Sequence, residues 1–194
     1  MKGIDPLTFW DFLKSLLVND YKNDPEKIKR YYRNRKPWTK HLTDLIVRNA
    51  KCFEGIEAVD QEFFARVDIS LFDKCTSSNW DEWSYEVAIE LENDPNDWRH
   101  ECHKLMLLNC GLKVLIAYRY KTLQDLQAAV NEIKDIYESR KYHRKGDQWL
   151  LIFGPMECDN EKDRSFIVYK MTNSGDDTPS LKISRIDTFD LFAQ

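Results

Sequence analysis

The sequence predicts an α/β protein: a mixed central β-sheet flanked by helices, with an N-terminal helical segment in front. Three observations predict it. Up to about residue 53, apolar residues recur at three- and four-residue intervals, the period of amphipathic helices. Two runs follow that suit strands, Phe63–Phe72 (β-branched and aromatic) and Trp83–Glu92 (alternating). A helical stretch then separates the second run from the apolar strand Leu112–Tyr120, so at least one parallel crossover is needed. The 194 residues are read as one domain, with a basic helical part over 1–53 and an α/β core over 54–194.

Each element has a local reason. Asp5-Pro6 is an N-cap followed by proline at the first helical position, and Leu7, Trp10, Leu13, Leu16 and Leu17 continue the stripe. Asp24-Pro25 repeats that signal and opens a basic helix to about Arg35. Lys36-Pro37 is expected to break it, with Thr39 capping a third helix that carries Leu42, Leu45, Ile46 and Phe53. In the run Trp83–Glu92, alternation sends Tyr85, Val87, Ile89 and Leu91 one way and Glu86, Ala88, Glu90 and Glu92 the other. Asp97 can cap a helix to about Leu108, which Gly111 closes. Thr122 opens an amphipathic helix through Leu126, Val130 and Ile133. Strands are expected at Gln148–Phe153, Ser165–Met171 and, more weakly, Leu181–Ile186.

Composition removes several classes. A chain with 42% hydrophobic and 32% charged residues, but only 6 Gly and 6 Pro, is neither disordered nor collagen-like. No apolar run reaches the roughly 20 residues that span a bilayer, and Met1–Pro6 lacks the form of a signal peptide, so a soluble, cytoplasmic protein without membrane partners is expected. Cys52, Cys75, Cys102, Cys110 and Cys158 are odd in number and contain no CxxC pair, which argues against a disulfide framework or a structural zinc site. His100, Cys102 and His103 lack a second ligand pair and read as ordinary helix residues. There is no GxSxG, P-loop or dinucleotide-binding glycine pattern.

Charge is unevenly placed. The chain has a formal net charge of −4, yet Glu26–Lys51 holds nine basic and two acidic residues. Glu54–Glu101 holds three basic and fourteen acidic residues. A basic face beside concentrated carboxylates is what a metal-dependent enzyme acting on a phosphate backbone requires; a solvated helix surface has the same composition. The basic stretch Lys27–Lys40, including Lys29, Arg30, Arg33 and Lys36, interleaves cations with Tyr31, Tyr32 and Trp38, which suits phosphate contact with stacking support. Arg140, Lys141, His143, Arg144 and Lys145 form a second basic loop.

The informative carboxylates are Asp68, Glu90 and Glu92. Glu90 and Glu92 share one face of their strand, and a hairpin with the preceding run brings Asp68 beside them. Converging carboxylates repel one another, and a hard divalent cation or raised pKa values resolve the conflict. The wet face of an amphipathic strand remains the other reading.

The run Arg66-Val67-Asp68, then Glu86 to Asp94 with Glu90-Leu91-Glu92, then Trp98-x-x-Glu101-x-x-Lys104-Leu105, then Leu112–Tyr118, resembles the restriction-endonuclease-like PD-(D/E)xK nuclease superfamily. The likeness covers about residues 50–155 and is nearest the branch with a Glu-x-Glu site. It implies a restriction-endonuclease-like core and a Mg²⁺-dependent endonuclease (Mn²⁺ substituting) that cuts DNA in a restriction or defence setting, with a homodimer as one assembly. By position it implies Asp68, Glu90 and the Leu91 carbonyl as metal ligands, and Glu92 as the group that orients or deprotonates water. Most members carry Lys where Glu92 stands; here Lys104, one helical turn from Glu101, is the candidate for the missing cation. Glu54, Glu57 and Glu62 are candidates for the acidic residue that often precedes the aspartate. A catalytically inactive nuclease-fold protein, serving as a nucleic-acid- or protein-binding regulatory subunit, is the alternative the same motifs allow.

Overall fold

A computed structural model describes residues 3–60, 66–74, 83–94, 97–120, 122–139, 143–155, 165–176 and 178–193, without the side chains of residues 119 and 120. Seven strands form one sheet in chain order: β1 Ile56–Asp60, β2 Ile69–Asp73, β3 Ser84–Glu92, β4 Leu112–Tyr120, β5 Gln148–Pro155, β6 Ser165–Asn173 and β7 Leu181–Asp190. The pairs β3–β4 and β4–β5 are parallel and all others antiparallel. Helices α4 (Trp98–Leu107) and α5 (Leu123–Ser139) provide the two crossovers, while α1 (Pro6–Asn23), α2 (Pro25–Tyr32) and α3 (Arg35–Asn49) precede the sheet. The mixed α/β architecture with an N-terminal helical segment is the one the sequence predicts.

Cap chemistry explains the first helices. Asp5 accepts from the Leu7 and Thr8 backbone N–H groups at 2.9 and 3.2 Å, and Asp24 accepts from Lys27 at 3.0 Å while also ending α1. Lys36-Pro37 does not end the basic helix: α2 already stops at Tyr32, and Pro37 is the third residue of α3, which starts at Arg35, where the first N–H groups have no intrahelical acceptor to lose. Thr39 is therefore inside the helix, its hydroxyl donating to the Arg35 carbonyl at 3.1 Å. At α5, Thr122 and Asp125 bond reciprocally through side chain and backbone at 3.0 and 3.2 Å.

Both faces of the sheet are covered. One core joins α1–α3 to Ile69, Leu71, Val87, Ile89, Val114, Ile116, Leu150, Ile152 and Val168. The other joins α4 and α5 to Ala88, Leu115, Ala117, Leu151, Phe153 and Ile167. This explains the almost continuous apolar runs of β4 and β5. The helical segment is tied to the far end of the chain. Trp10 Nε1 donates to Asp187 Oδ2 at 2.7 Å, Lys14 pairs with the same oxygen at 2.8 Å, and the Tyr21 hydroxyl donates to the Phe192 carbonyl at 3.2 Å. Gly154 lies under the aromatic cluster: a Cβ there would come within 2.6 Å of the Tyr118 ring and 2.9 Å of the Tyr32 hydroxyl.

Several sequence expectations are corrected. Within the described part of the run expected to be a strand, β2 begins at Ile69: Arg66 adopts a left-handed conformation (φ 56°), and Asp68 sits in the bend before β2. Phe63–Ala65 lie outside the described residues. Strand β1 was not expected, since its five residues carry only a short, half-buried pattern. A β-bulge interrupts the β2–β3 ladder at Glu86, where Leu71 pairs with Val87 but Phe72 pairs with Tyr85. Tyr85 thereby turns to the α4 side, its hydroxyl 3.0 Å from Ser70 Oγ, and Glu86 turns toward Gly3, Ile4 and Phe53. Strands β6 and β7 pair through Asn173 and Asp190, beyond the ends expected from sequence.

A buried ion pair closes the end of the sheet where β4 begins. Lys113 is 1% exposed and lies 2.6 Å from Asp147 Oδ1; the Tyr137 hydroxyl and Arg144 N–H donate to Asp147 Oδ2 at 2.7 and 3.2 Å. Removing one partner leaves a charge without compensation in an apolar setting. Asp147→Ala is therefore expected to destabilise the fold by about 3–5 kcal/mol in urea unfolding, and Lys113→Met by clearly less, because Asp147 keeps two donors. Equal costs would show that Lys113 is not held as a buried charge.

Candidate functional site

The site forms where β3 ends and α4 passes beside it. Glu90 points to the α4 side of the sheet and is 1% exposed. Lys104, on α4, places Nζ 2.7 Å from Glu90 Oε1, in close contact with Glu101 Oε2, and 3.1 Å from the Arg66 carbonyl to which it donates. Asp68 reaches in from the bend before β2. Its Oδ2 accepts the Leu91 N–H at 2.8 Å, and its carboxyl lies within hydrogen-bonding reach of Glu90. The left-handed Arg66, a conformation costing on the order of 1–3 kcal/mol in a residue with a side chain, aims its carbonyl at Lys104. The structure thus brings together Asp68, Glu90, Glu101 and Lys104, and the Leu91 backbone with them.

Glu92 stands one step further out. It is half-buried, and its Oε1 accepts the Asp94 N–H, closing the turn that follows β3. It lines a cleft of about 590 Å³ between the end of β3 and α3, together with Arg35, Lys36, Lys40, Asp60 and Asp94. The Asn93 side-chain amide donates to Thr39 Oγ1 across the same cleft. Lys36 and Lys40 also line a second cleft of about 570 Å³ on the other flank of α3, with Lys27, Tyr31, His41 and Arg48. Lys29, Arg30 and Arg33 line neither cleft; Lys29 is paired with Glu26 at 2.9 Å. In the second basic loop, Lys145 pairs with Asp176 at 2.9 Å, and Arg140 and Lys141 lie outside the described residues.

The electrostatics follow from burial. Loss of hydration pushes the Glu90 carboxyl well above the usual carboxylate range; Glu101 and Asp68 push it further, and Lys104 only partly opposes them. Burial also raises Asp68 against the Leu91 hydrogen bond, and raises Glu92 against its bond to Asp94. Burial alone would lower Lys104, but its contacts with Glu101 and Glu90 hold it above the ordinary lysine value. Three carboxyls thus face one ammonium. Glu90 Oε1, although close to Lys104, has no aligned hydrogen-bond donor among the described residues.

Of the other acidic candidates, Glu54 lines a cleft at the opposite end of the sheet, and Glu57, exposed on half-buried β1, pairs with Lys74 at 2.6 Å. Glu62 lies outside the described residues. Asp60, at the end of β1, reaches the Glu92 cleft instead; without β1 it could not be singled out. Cys102 is buried in the α4–α5 core, where burial pushes its thiol up to about 12, and Cys75 and Cys158 lie outside the described residues. Among the described residues, no three His, Cys, Asp or Glu side chains already stand as a ligand cluster around one point, and no helix is long and apolar enough to cross a membrane. No protein-family model, curated protein or solved structure matches the chain.

A carboxyl with a higher pKa in the folded state favours folding while protonated. It opposes folding as pH rises from the ordinary carboxylate range through the raised value. In EDTA, the protein is therefore expected to lose stability from about pH 5 to about pH 9, and Glu90→Gln to flatten that slope and raise stability at the upper end. Urea unfolding at both pH values measures it; parallel slopes for the two proteins would contradict a protonated, buried Glu90.

Proposed function

We propose that this chain is a metal-dependent nuclease that hydrolyses phosphodiester bonds of DNA. One observation carries the reading: Glu90 and Glu101 share a single ammonium at the end of parallel strands, Asp68 bonds the Leu91 N–H beside them, and Glu92, two residues on, lines a cleft with Arg35, Lys36 and Lys40. Carboxylates in excess over local cations call for protonation or for a further cation. The donors are hard oxygens, which suits Mg²⁺ or Mn²⁺, and an ion there would take over from Lys104 as the partner of Glu90 Oε1. Asp68, Glu90 and the Leu91 carbonyl would hold the ion. Bound there, it supplies charge for the phosphoryl oxygens and acidity for a water.

The remaining roles fall to the chain. Lys104 is fixed by three oxygens, so its charge is preorganised beside the carboxylates instead of reorienting during reaction. Glu92, half-buried with a raised pKa, can take a proton from water entering by the cleft. The cations of α3 can receive the phosphates flanking the scissile one. The order of hairpin, Glu-x-Glu strand, helix and parallel strand also supports the likeness to PD-(D/E)xK nucleases.

A second reading has its own observation. Lys104 already serves Glu90 and Glu101 as an internal counterion, which a non-catalytic nuclease-fold subunit would need in place of a metal. Metal titration with cleavage of plasmid DNA separates the two. Asp68→Asn and Glu90→Gln are expected to abolish Mn²⁺-induced thermal stabilisation and cleavage together. Glu92→Gln is expected to keep the stabilisation while turnover falls about 10²–10⁴-fold. Wild-type protein that neither binds metal nor cuts DNA would favour the regulatory reading.

Affinity is expected to follow the clefts. Replacing Arg35, Lys36 and Lys40 with Ala should lower the salt dependence of DNA binding by up to about three phosphate contacts, and replacing Lys29, Arg30 and Arg33 by fewer. Fluorescence anisotropy across a salt series reads both slopes; the reverse order would move the binding face onto α2.

A further inference from the structure

We infer that the clefts on the two flanks of α3 form one track for single-stranded nucleic acid, with Tyr31 as its base-stacking platform. The inference rests on the nucleic-acid reading above and narrows its substrate class. The two clefts share Lys36, Lys40 and Asp44, spaced one turn apart along α3, so a chain leaving the Glu92 cleft crosses that ridge into the Tyr31 cleft. Lys40 and Arg48 are engaged by Asp44 at 3.7 and 3.3 Å, and His41 by Asp20 at 2.6 Å. Lys27 and Lys36 have no carboxylate partner among the described residues, which leaves them to an external anion.

Tyr31 adds what a purely electrostatic groove lacks. It is only partly buried, packs one edge on the core and faces the cleft, with Lys27 and Arg30 cations 5.6 and 5.7 Å from its ring and the His41 ring 5.1 Å away. An aromatic ring beside cations that can receive phosphates suits a splayed base, since every base has a π-face to stack. In a duplex those faces are covered by neighbouring pairs.

The test is anisotropy in EDTA with an oligodeoxynucleotide of about 12 residues, its duplex form and the oligoribonucleotide of the same sequence. The single strand should bind about tenfold or more tighter than the duplex. Tyr31→Leu, which keeps apolar packing and is checked by thermal melting, should weaken single-strand binding about tenfold without changing the salt slope; Tyr31→Phe should stay near wild type. Lys36→Ala should lower the slope by about one. Equal binding of the RNA strand supports the track and widens the substrate to RNA. Duplex binding as tight as single-strand binding, or a silent Tyr31→Leu, overturns the track. Cleavage in Mg²⁺ reads the other question: duplex cutting with a silent Tyr31→Leu sinks the track and leaves the nuclease standing, whereas Tyr31-dependent binding without cleavage does the opposite.

Discussion

Three adjacent strands, β3, β4 and β5, run parallel, and a parallel set has to be covered on both faces. The crossover helices α4 and α5 cover one face by necessity. The other face is covered by the N-terminal helices, where Trp10, Leu13, Ile28, Trp38, Leu42 and Ile46 bury themselves, together with Leu191 at the end of the chain. The helical segment is thus a layer of the same core and not an appendage. Its ties to Asp187 and Phe192 close the fold by joining the first helix to the last strand and the turn after it.

That constraint also sets where the polar groups meet. Packing α3 by Trp38 and Leu42 leaves Lys36, Lys40 and Asp44 outward, next to the turn that ends β3. Packing α4 by Trp98, Cys102 and Leu105 turns Glu101 and Lys104 toward Glu90. The two helices belong to opposite layers, so the carboxylates and the basic groove approach one sheet end from both sides. A chain with net charge −4 in this way presents a local cationic surface beside its acidic site.

The cluster is electrostatically unfavourable as an isolated set. Glu90 is 1% exposed, and the partner it has there is the Lys104 ammonium, which it shares with Glu101. A buried acid raised by desolvation, a neighbouring acid shifted the same way, and a left-handed Arg66 supplying a carbonyl are costs concentrated at one point. Such costs gather where a structure is shaped for a ligand or a reaction. By contrast, in the Lys113–Asp147–Tyr137 network at the other sheet end both Asp147 oxygens are engaged by donors, and it reads as architecture.

Much of this was legible in the chain. Asp5-Pro6 and Asp24-Pro25 mark helix starts because their caps are local, and the alternation through Glu92 marks β3 because a strand's period is local too. Asp68, Glu90 and Glu92 stand out by type and spacing, whereas Lys104 was singled out only through the resemblance to the PD-(D/E)xK nucleases. What the sequence could not set is whatever depends on a partner distant in the chain. Whether Tyr85 or Glu86 faces α4 is decided by a bulge against β2; whether Pro37 ends a helix or sits in its first turn is decided by where α3 starts. Asp68 belongs to a bend because β2 begins at the residue that can pair with Ile89, and β1 exists because β2 offers it an edge. The grooves beside α3 arise only when helices from one layer meet the strand end of another. Local sequence sets propensity and period; register, facing and clefts are long-range, and packing alone decides them.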